Sequence, residues 1–333
     1  MTQPAKVTII GAGIVGLCTA WFLQERGVEV TVLDRSGVAA GASLGNAGWV
    51  APALTLPLPE PSIFKVGIKA VIDPTSPVYV PVAANSTLLR FLAGFARHST
   101  PKMWRRNMVT FAEINKWSLE SFDRMEDGGV SAALKHAEPF LAAFVSEHDR
   151  ETITHEFDEV AAGGGHVSFE KITGDELREF EPSVSTIVTH GLRVDGQRFI
   201  NPPSFMQVLA ASVRARGGTI VEGAKATGIR DLGAAGIAVD VEGQNAVLSN
   251  EVVIATGTWL GDLARQFGVR QVVQSGRGYS FSVKPPVIPT HPIYLPAQRV
   301  ACTPLGDRLR VGGMMEFRSA EAPADSRRIQ TIV

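Results

Sequence analysis

Lys6-Val7-Thr8-Ile9-Ile10-Gly11-Ala12-Gly13-Ile14-Val15-Gly16, with Asp34 downstream of it, is the stretch that decides the fold. Lys6 to Ile10 is short, β-branched and closed by glycine, the pattern of a buried parallel strand. Gly11 to Gly16 then spells G-x-G-x-x-G. One glycine makes the tight turn, the next lets the backbone approach a pyrophosphate, and the third lets a helix pack on the strand. From Ile14 to Arg26 apolar residues recur at helical spacing (Leu17, Ala20, Trp21, Leu23), and Gly27 supplies the stop. Val28 to Leu33 is a second strand, ending on Asp34. The order strand, turn, helix, strand closes right-handed and predicts the first half of a doubly wound sheet. Helix amides and the dipole at that turn hold phosphates. A carboxylate at position 34 accepts ribose hydroxyls and repels a 2′-phosphate, which disfavours NADP. The alternative is a glycine turn that only packs a helix against a strand, and the motif alone does not separate FAD from NAD.

The strand Val252-Val253-Ile254-Ala255, running into Thr256-Gly257, reads as another buried parallel strand whose carboxyl end meets a ligand. Strand signals also occur at Val167–Phe169, Thr219–Val221 and Gly236–Val241, with helices expected over Gly174–Phe180 and Asn201–Arg216. Nucleotide-domain signals therefore lie at both ends of a long insertion. The expected fold class is α/β: a doubly wound, Rossmann-like cofactor domain over residues 1–52 and 196–268, and a second α+β substrate domain over 53–195 and 269–333. Seven prolines between Val50 and Val82 predict irregular chain. From Thr87 to Met125 helices return, with Trp104, Met108, Phe111, Trp117, Phe122 and Met125 marking an apolar side broken once, at Pro101.

Composition excludes several classes. The 32 basic and 33 acidic residues leave a formal charge of −1, without the field that nucleic acid demands. Two cysteines, Cys18 and Cys302, form no C-x-x-C pair. They favour a reducing, cytoplasmic compartment over a disulfide scaffold, and Cys18 reads as a packing residue before a nucleophile. The histidines show no metal-ligand spacing, so no metal is expected; His148 and His155 read as surface helix. No secretory signal and no run of eighteen apolar residues is seen. Lys102, Arg105 and Arg106 fit a solvated helix face, or peripheral contact with anionic lipid at the inner membrane.

Gly41-Ala42-Ser43-Leu44-Gly45-Asn46-Ala47-Gly48 offers a hydroxyl, an amide and bare backbone after the acidic strand, suited to a large ligand or to a plain loop. Together, Gly11 to Gly16, Asp34-Arg35, Ser43-x-x-Asn46-Ala47-Gly48, Ala255-Thr256-Gly257 and Arg277-Gly278-Tyr279-Ser280 resemble the D-amino-acid oxidase-like FAD enzymes, and in particular the small subunits of bacterial D-amino-acid dehydrogenases. His190-Gly191-Leu192-Arg193 and Arg310-Val311-Gly312-Gly313-Met314 follow in matching order, so the resemblance covers essentially the whole chain.

The resemblance implies bound FAD, with its pyrophosphate at Gly11, Ala12, Gly13, Ile14, Val15 and Gly16, its adenosine ribose at Asp34, and Arg35 among the cofactor-binding residues. It implies the isoalloxazine side near Ser43, Asn46, Ala47 and Gly48, and adenine near the backbone of Ala226, which is otherwise an ordinary sheet residue. The implied activity is dehydrogenation of D-amino acids or a related secondary amine to the imino acid and then the keto acid, with quinone or oxygen as electron acceptor. Family members continue into a Gly-Leu-Arg-Pro segment that this sequence, ending at Val333, lacks; the expectation is a C-terminally incomplete chain. Holding an amine and clamping its carboxylate calls for arginine and tyrosine. Arg277, Tyr279 and Tyr294 are the candidates, against the alternative of buried structural tyrosines and a solvated arginine. The rival readings are an NAD-dependent dehydrogenase and a non-catalytic truncated chain or subunit.

Overall fold

Strand β1 (Lys6–Ile10) is buried at four of its five positions, as its apolar run requires, and pairs in parallel on both sides. It stands between β2 (Glu29–Asp34) and Glu251–Ile254, and Thr219–Glu222 pairs in parallel with the outer side of β2. The sheet order is Thr219–Glu222, β2, β1, Glu251–Ile254. Helix α1 (Ile14–Gln24) connects β1 to β2 and buries Leu17, Ala20 and Trp21. The expected helix to Arg26 ends two residues early, at Gln24, and Gly27 at φ +74° turns the chain out of it.

The computed structural model describes residues 5–61, 76, 78–81, 85–131 and 135–332. The chain forms two compact units: Met1–Gly45, Met125–Ala133 and Asn201–Val273 make the first, and Asn46–Arg124, Leu134–Ile200 and Gln274–Val333 the second.

Within the first unit, the helix Pro202–Ala215 packs against α1, and the Trp21 indole donates to Ser212 at 3.2 Å. Arg216 lies 4.3 Å from the Trp21 ring and donates to the carbonyl of Gly128, which draws the segment after Met125 onto α1. A three-stranded antiparallel sheet, Ala226–Asp231, Ile237–Val241 and Val247–Ser249, adds Ile229, Val239 and Val241 to the core formed by Ile10, Leu33 and Leu263.

The second unit is built on a larger sheet, ordered Gly276–Val283, Arg308–Phe317, Val300–Leu305, Ile293–Leu295, Phe140–Phe144, His190–Val194, Phe169–Thr173, with Val78–Tyr79 beside Arg308–Phe317. Most pairs are antiparallel, and Ile293–Leu295 with Phe140–Phe144 is parallel. Every residue of Phe140–Phe144 is buried because both faces are covered. Phe140, Ala142 and Phe144 meet Ile153 and Phe157 of the helix Glu147–Ala162, while Leu141 and Ala143 meet Leu177 of Gly174–Phe180. That last helix has the bounds expected from sequence, set by a capping box in which Thr173 and Glu176 satisfy each other's backbone amides. A smaller antiparallel sheet joins Trp49–Val50, Gln197–Phe199 and Lys135–Ala137.

Three expectations are corrected here. The apolar helical region is broken twice, into Ser86–His98, Pro101–Asn115 and Ser118–Asp127. Trp104 and Met108 are buried, but Trp117, at the second break, is 63% exposed. The strand expected at Val167–Phe169 runs instead from Phe169 to Thr173, where His190–Val194 supplies a partner. In the proline-rich stretch, Pro52–Leu54 is a short 3-10 helix, and Pro74 and Pro77 lie outside the described residues.

Candidate functional site

The glycine turn of the first unit presses backbone on backbone. Gly11, at φ +115°, would with a Cβ overlap the Ala255 carbonyl oxygen and lie 2.9 Å from its carbon; a Cβ on Gly16 would overlap the Gly11 carbonyl. Gly11 N–H donates to Leu33 O at 2.7 Å, and Ala255 N–H donates to Ile10 O at 2.8 Å, so the turn is bonded on both flanks. Helix α1 opens on Gly13, which has no side chain to cap it. First-turn amides at such an end face outward, where the helix dipole favours an anion. The Ser43 hydroxyl, 2.9 Å away, accepts from Ile14 N–H, and Val15 is 65% exposed.

Asp34 closes one side of the turn. Its Oδ2 accepts from Ala12 N–H at 2.8 Å, and its Oδ1 accepts from the amides of Ser36 and Gly37 at 2.8 and 2.9 Å. The guanidinium of Arg35 stacks 3.8 Å from the Trp259 ring centroid. Ala224 N–H donates to Asp34 O, and Ala226, two residues on, begins its antiparallel strand. At the other side, Thr256 and Gly257 follow Ala255, and the buried Thr256 Oγ1 has no hydrogen-bond partner. A buried hydroxyl without a partner is costly unless a ligand satisfies it. The bare glycine cradle, the outward helix end, the ribose-type carboxylate and this hydroxyl fit a dinucleotide. Gly11–Gly16, Asp34, Ser43 and Ala255–Gly257 thus come together in the first unit.

Asn46, Ala47 and Gly48 belong to the second unit and are held rigidly there. Asn46 Oδ1 accepts from Gly48 N–H at 2.6 Å, and Gly48 takes φ +82°. Thr303 Oγ1 donates to Ala47 O and accepts from the Trp49 indole, both at 2.8 Å.

Of the expected positioning residues, Arg277 and Tyr279 converge on one carboxylate. Tyr279 is buried; its hydroxyl donates to Glu316 Oε1 at 2.9 Å and accepts from Asp325 N–H at 3.0 Å. Burial raises its phenol pKa first, with the Glu316 carboxylate adding to the rise. Arg277 approaches the same oxygen at 3.8 Å, and Arg328, as fully buried as Glu316 itself, approaches Oε2 at 3.6 Å. Tyr294 lies elsewhere in this unit, edge-on to Trp49 with centroids 5.5 Å apart. Burial raises its pKa as well, against the opposing charge of Arg299.

The sequence reading missed the charged groups around Tyr294. Arg299 Nη2 stands 3.6 Å from Glu60 Oε1, and Arg299 takes a left-handed φ of +52°. The neighbouring Glu156 carboxyl is pushed up to about 7, by burial first and then by the Glu60 charge. No local motif announces this group, since Glu60, Glu156 and Arg299 come from three distant parts of the chain. Elsewhere, the Cys18 thiol is pushed up to about 12 by burial and lies 3.8 Å from the Met125 sulfur, a packing environment. Among the described residues, no group of three or more His, Cys, Asp and Glu side chains is placed to hold a metal ion.

A family model described as "DAO: FAD dependent oxidoreductase" matches residues 6–333. The D-amino acid dehydrogenase of Cereibacter sphaeroides (strain ATCC 17029 / ATH 2.4.9) is 28% identical over 341 residues, covering 98% of this chain and 76% of the relative. Among solved structures, the glycine oxidase from Bacillus cereus ATCC 14579 matches with a TM-score of 0.68 at 20% identity, covering 98% of this chain and 76% of that one. The iminodiacetate oxidase from Chelativorans sp. BNC1 matches with a TM-score of 0.66 at 16% identity, over 98% and 76% of the two chains. These structural likenesses share the fold.

Proposed function

We propose that this chain, which belongs to the DAO family of FAD-dependent oxidoreductases, dehydrogenates a D-amino acid or a related secondary amine. The imino acid so formed is opened by water to the 2-oxo acid. The observation that carries this reading is the glycine cradle backed on Ala255, with Asp34 beside it, in a chain that aligns over 98% of its length with a D-amino acid dehydrogenase.

In this reading the amides of Gly11–Gly16 hold the pyrophosphate of FAD, Asp34 takes a ribose hydroxyl, and Arg35 and Ala226 border the adenosine end. The Ser43 and Thr256 hydroxyls and the backbone of Ala255 and Gly257 complete its bed. Asn46, Ala47 and Gly48 offer bare backbone to the ring end. Bound FAD supplies the two-electron acceptor for the hydride leaving the substrate α-carbon. The protein's own work is to bind the amine in neutral form, orient its α-hydrogen and keep water away. Tyr294, half-buried beside Arg299, is a candidate to position the substrate. Arg277 and Tyr279 act on the substrate only through the Glu316 cluster that occupies them.

The electron acceptor in this proposal is quinone or oxygen, and anionic lipid is a surface partner. Residues 85–117 hold six basic residues against one acidic, a local charge of +5 in a chain of −1. Leu89, Val109, Ile114 and Trp117 are exposed in the same stretch. Apolar side chains among cations suit a peripheral membrane contact. No described helix is long and apolar enough to cross a membrane.

The purified chain, mixed with FAD and a panel of D-amino acids without air, tests the reaction: visible flavin bands should bleach with one class of substrate. A colourless protein that takes up NAD instead would overturn it. Readmitting oxygen, or adding a soluble quinone, identifies the acceptor by which one restores the bands. Co-sedimentation with vesicles containing anionic lipid, lost in neutral vesicles or at high salt, tests the surface.

A further inference from the structure

The second unit carries a cleft of about 550 Å³ that the proposed reaction does not use. One wall is the strand Lys135–Ala137, paired antiparallel with Gln197–Phe199 so that Lys135 stands opposite Phe199. The Lys135 ammonium lies 6.0 Å from the Phe199 ring centroid, and His136 lines the same side. Ile288 and Pro289, with Pro304 from the strand Val300–Leu305, supply the apolar walls.

The far wall is fixed from behind. Glu181, only 2% exposed, accepts at Oε1 from the Thr290 amide at 2.6 Å, the Thr290 hydroxyl at 2.7 Å and the His291 amide at 2.6 Å, and meets His291 Nδ1 at 2.8 Å. A buried carboxylate bonded this many times anchors Thr290 and His291, at the end of the Ile288–Thr290 wall. The cleft is therefore of small-molecule size and open to solvent, with the apolar side chains of Ile288, Pro289 and Pro304 beside the polar groups of Lys135, His136 and Thr290. Among the described residues Lys135 pairs with no carboxylate, and His136 meets Glu138 only at 3.7 Å, with both side chains largely exposed.

We infer that this cleft binds a small carboxylate with an apolar body of aromatic size, the acid group on Lys135 and His136 and the body against Phe199, Ile288, Pro289 and Pro304. A charged, hydrogen-bonded acid on an ammonium is favoured over a neutral amide of equal shape, and the apolar walls reward a ligand that fills them. The site needs neither flavin nor turnover, so it stands independently of the proposed reaction.

Isothermal titration of the full chain with 3-phenylpropanoate, and with 3-phenylpropanamide as its neutral match, tests this. Saturable one-to-one binding of the acid is expected, with the amide about tenfold weaker. Lys135→Met should weaken the acid about tenfold and leave the amide unchanged, while Lys135→Arg retains it. Both substitutions are on an exposed side chain, and circular dichroism confirms folding; His136→Gln gives a second, smaller loss. Equal affinity for acid and amide, or unchanged acid binding in folded Lys135→Met, would overturn the inference. In the flavin-loaded enzyme, a Lys135-dependent rise in KM for a D-amino acid at constant kcat would identify the ligand as the reaction's own acid. Lys135-dependent binding with KM unchanged would identify a separate carboxylate.

Discussion

Gly11 lies against the carbonyl of Ala255 with no room for a side chain between them, and it does so at φ +115°, a conformation open to glycine. The contact locks the phosphate-type turn onto the carboxyl end of Glu251–Ile254. Gly11→Ala should therefore both strain the backbone and push the turn off the sheet. We expect a loss of about 2–3 kcal/mol in unfolding free energy and failure to retain flavin, checked by denaturant titration and visible absorption.

Thr256→Val separates stability from ligand holding. The Thr256 hydroxyl is buried without a partner, so replacing it by a methyl should leave the ligand-free protein equally stable or slightly more so. Loss of that donor should weaken FAD by about 1 kcal/mol, roughly fivefold. Flavin fluorescence quenching reads the affinity; unchanged FAD binding would remove Thr256 from the site.

Tyr279→Phe tests whether this tyrosine supports structure or substrate. Its hydroxyl links Glu316 to the amide of Asp325, and deleting it should cost about 1–2 kcal/mol of stability. With kcat and KM unchanged at a temperature where the variant is folded, the residue is structural. A rise in KM alone would return it to the substrate.

Glu316→Ala should be more severe, about 3–5 kcal/mol, because it strands the buried Arg328 guanidinium without its counter-charge. Thermal unfolding measures the loss, and the double variant Glu316→Ala with Arg328→Met should recover part of it.

Glu156 sets a pH dependence. Its folded pKa, about 7, lies above the ordinary glutamate value of 4.5, so the folded state holds the proton more tightly than the unfolded chain. The stabilisation it brings is complete below about 4.5 and is lost as pH rises through about 7. Glu156→Gln should remove that loss and raise stability at pH 8 by about 1 kcal/mol, a value reduced because the group keeps some contact with solvent. Unfolding curves at pH 5 and pH 8 check the sign: the variant and parent should converge at the lower pH.

Local patterns determine much of this protein without reference to tertiary contacts. β1, the glycine turn, α1 and β2 are legible because each is dictated by neighbouring residues: β-branched runs, glycines at sterically closed positions and a 3.6-residue apolar period. Asp34 follows from the same unit, and the helix Gly174–Phe180 from its capping box. Tertiary structure alone decided what depends on distant partners. Phe140–Phe144 becomes a central strand because His190–Val194 and Ile293–Leu295 flank it, and no window of sequence contains those partners. Met125–Ala133 joins the first unit through Arg216 and Trp21, far along the chain. The convergence of Arg277 and Tyr279 on Glu316, and of Glu60, Glu156 and Arg299 around Tyr294, likewise depends on burial. A side chain's charge state and partners are set by what the fold packs against it, and its sequence neighbours do not carry that information.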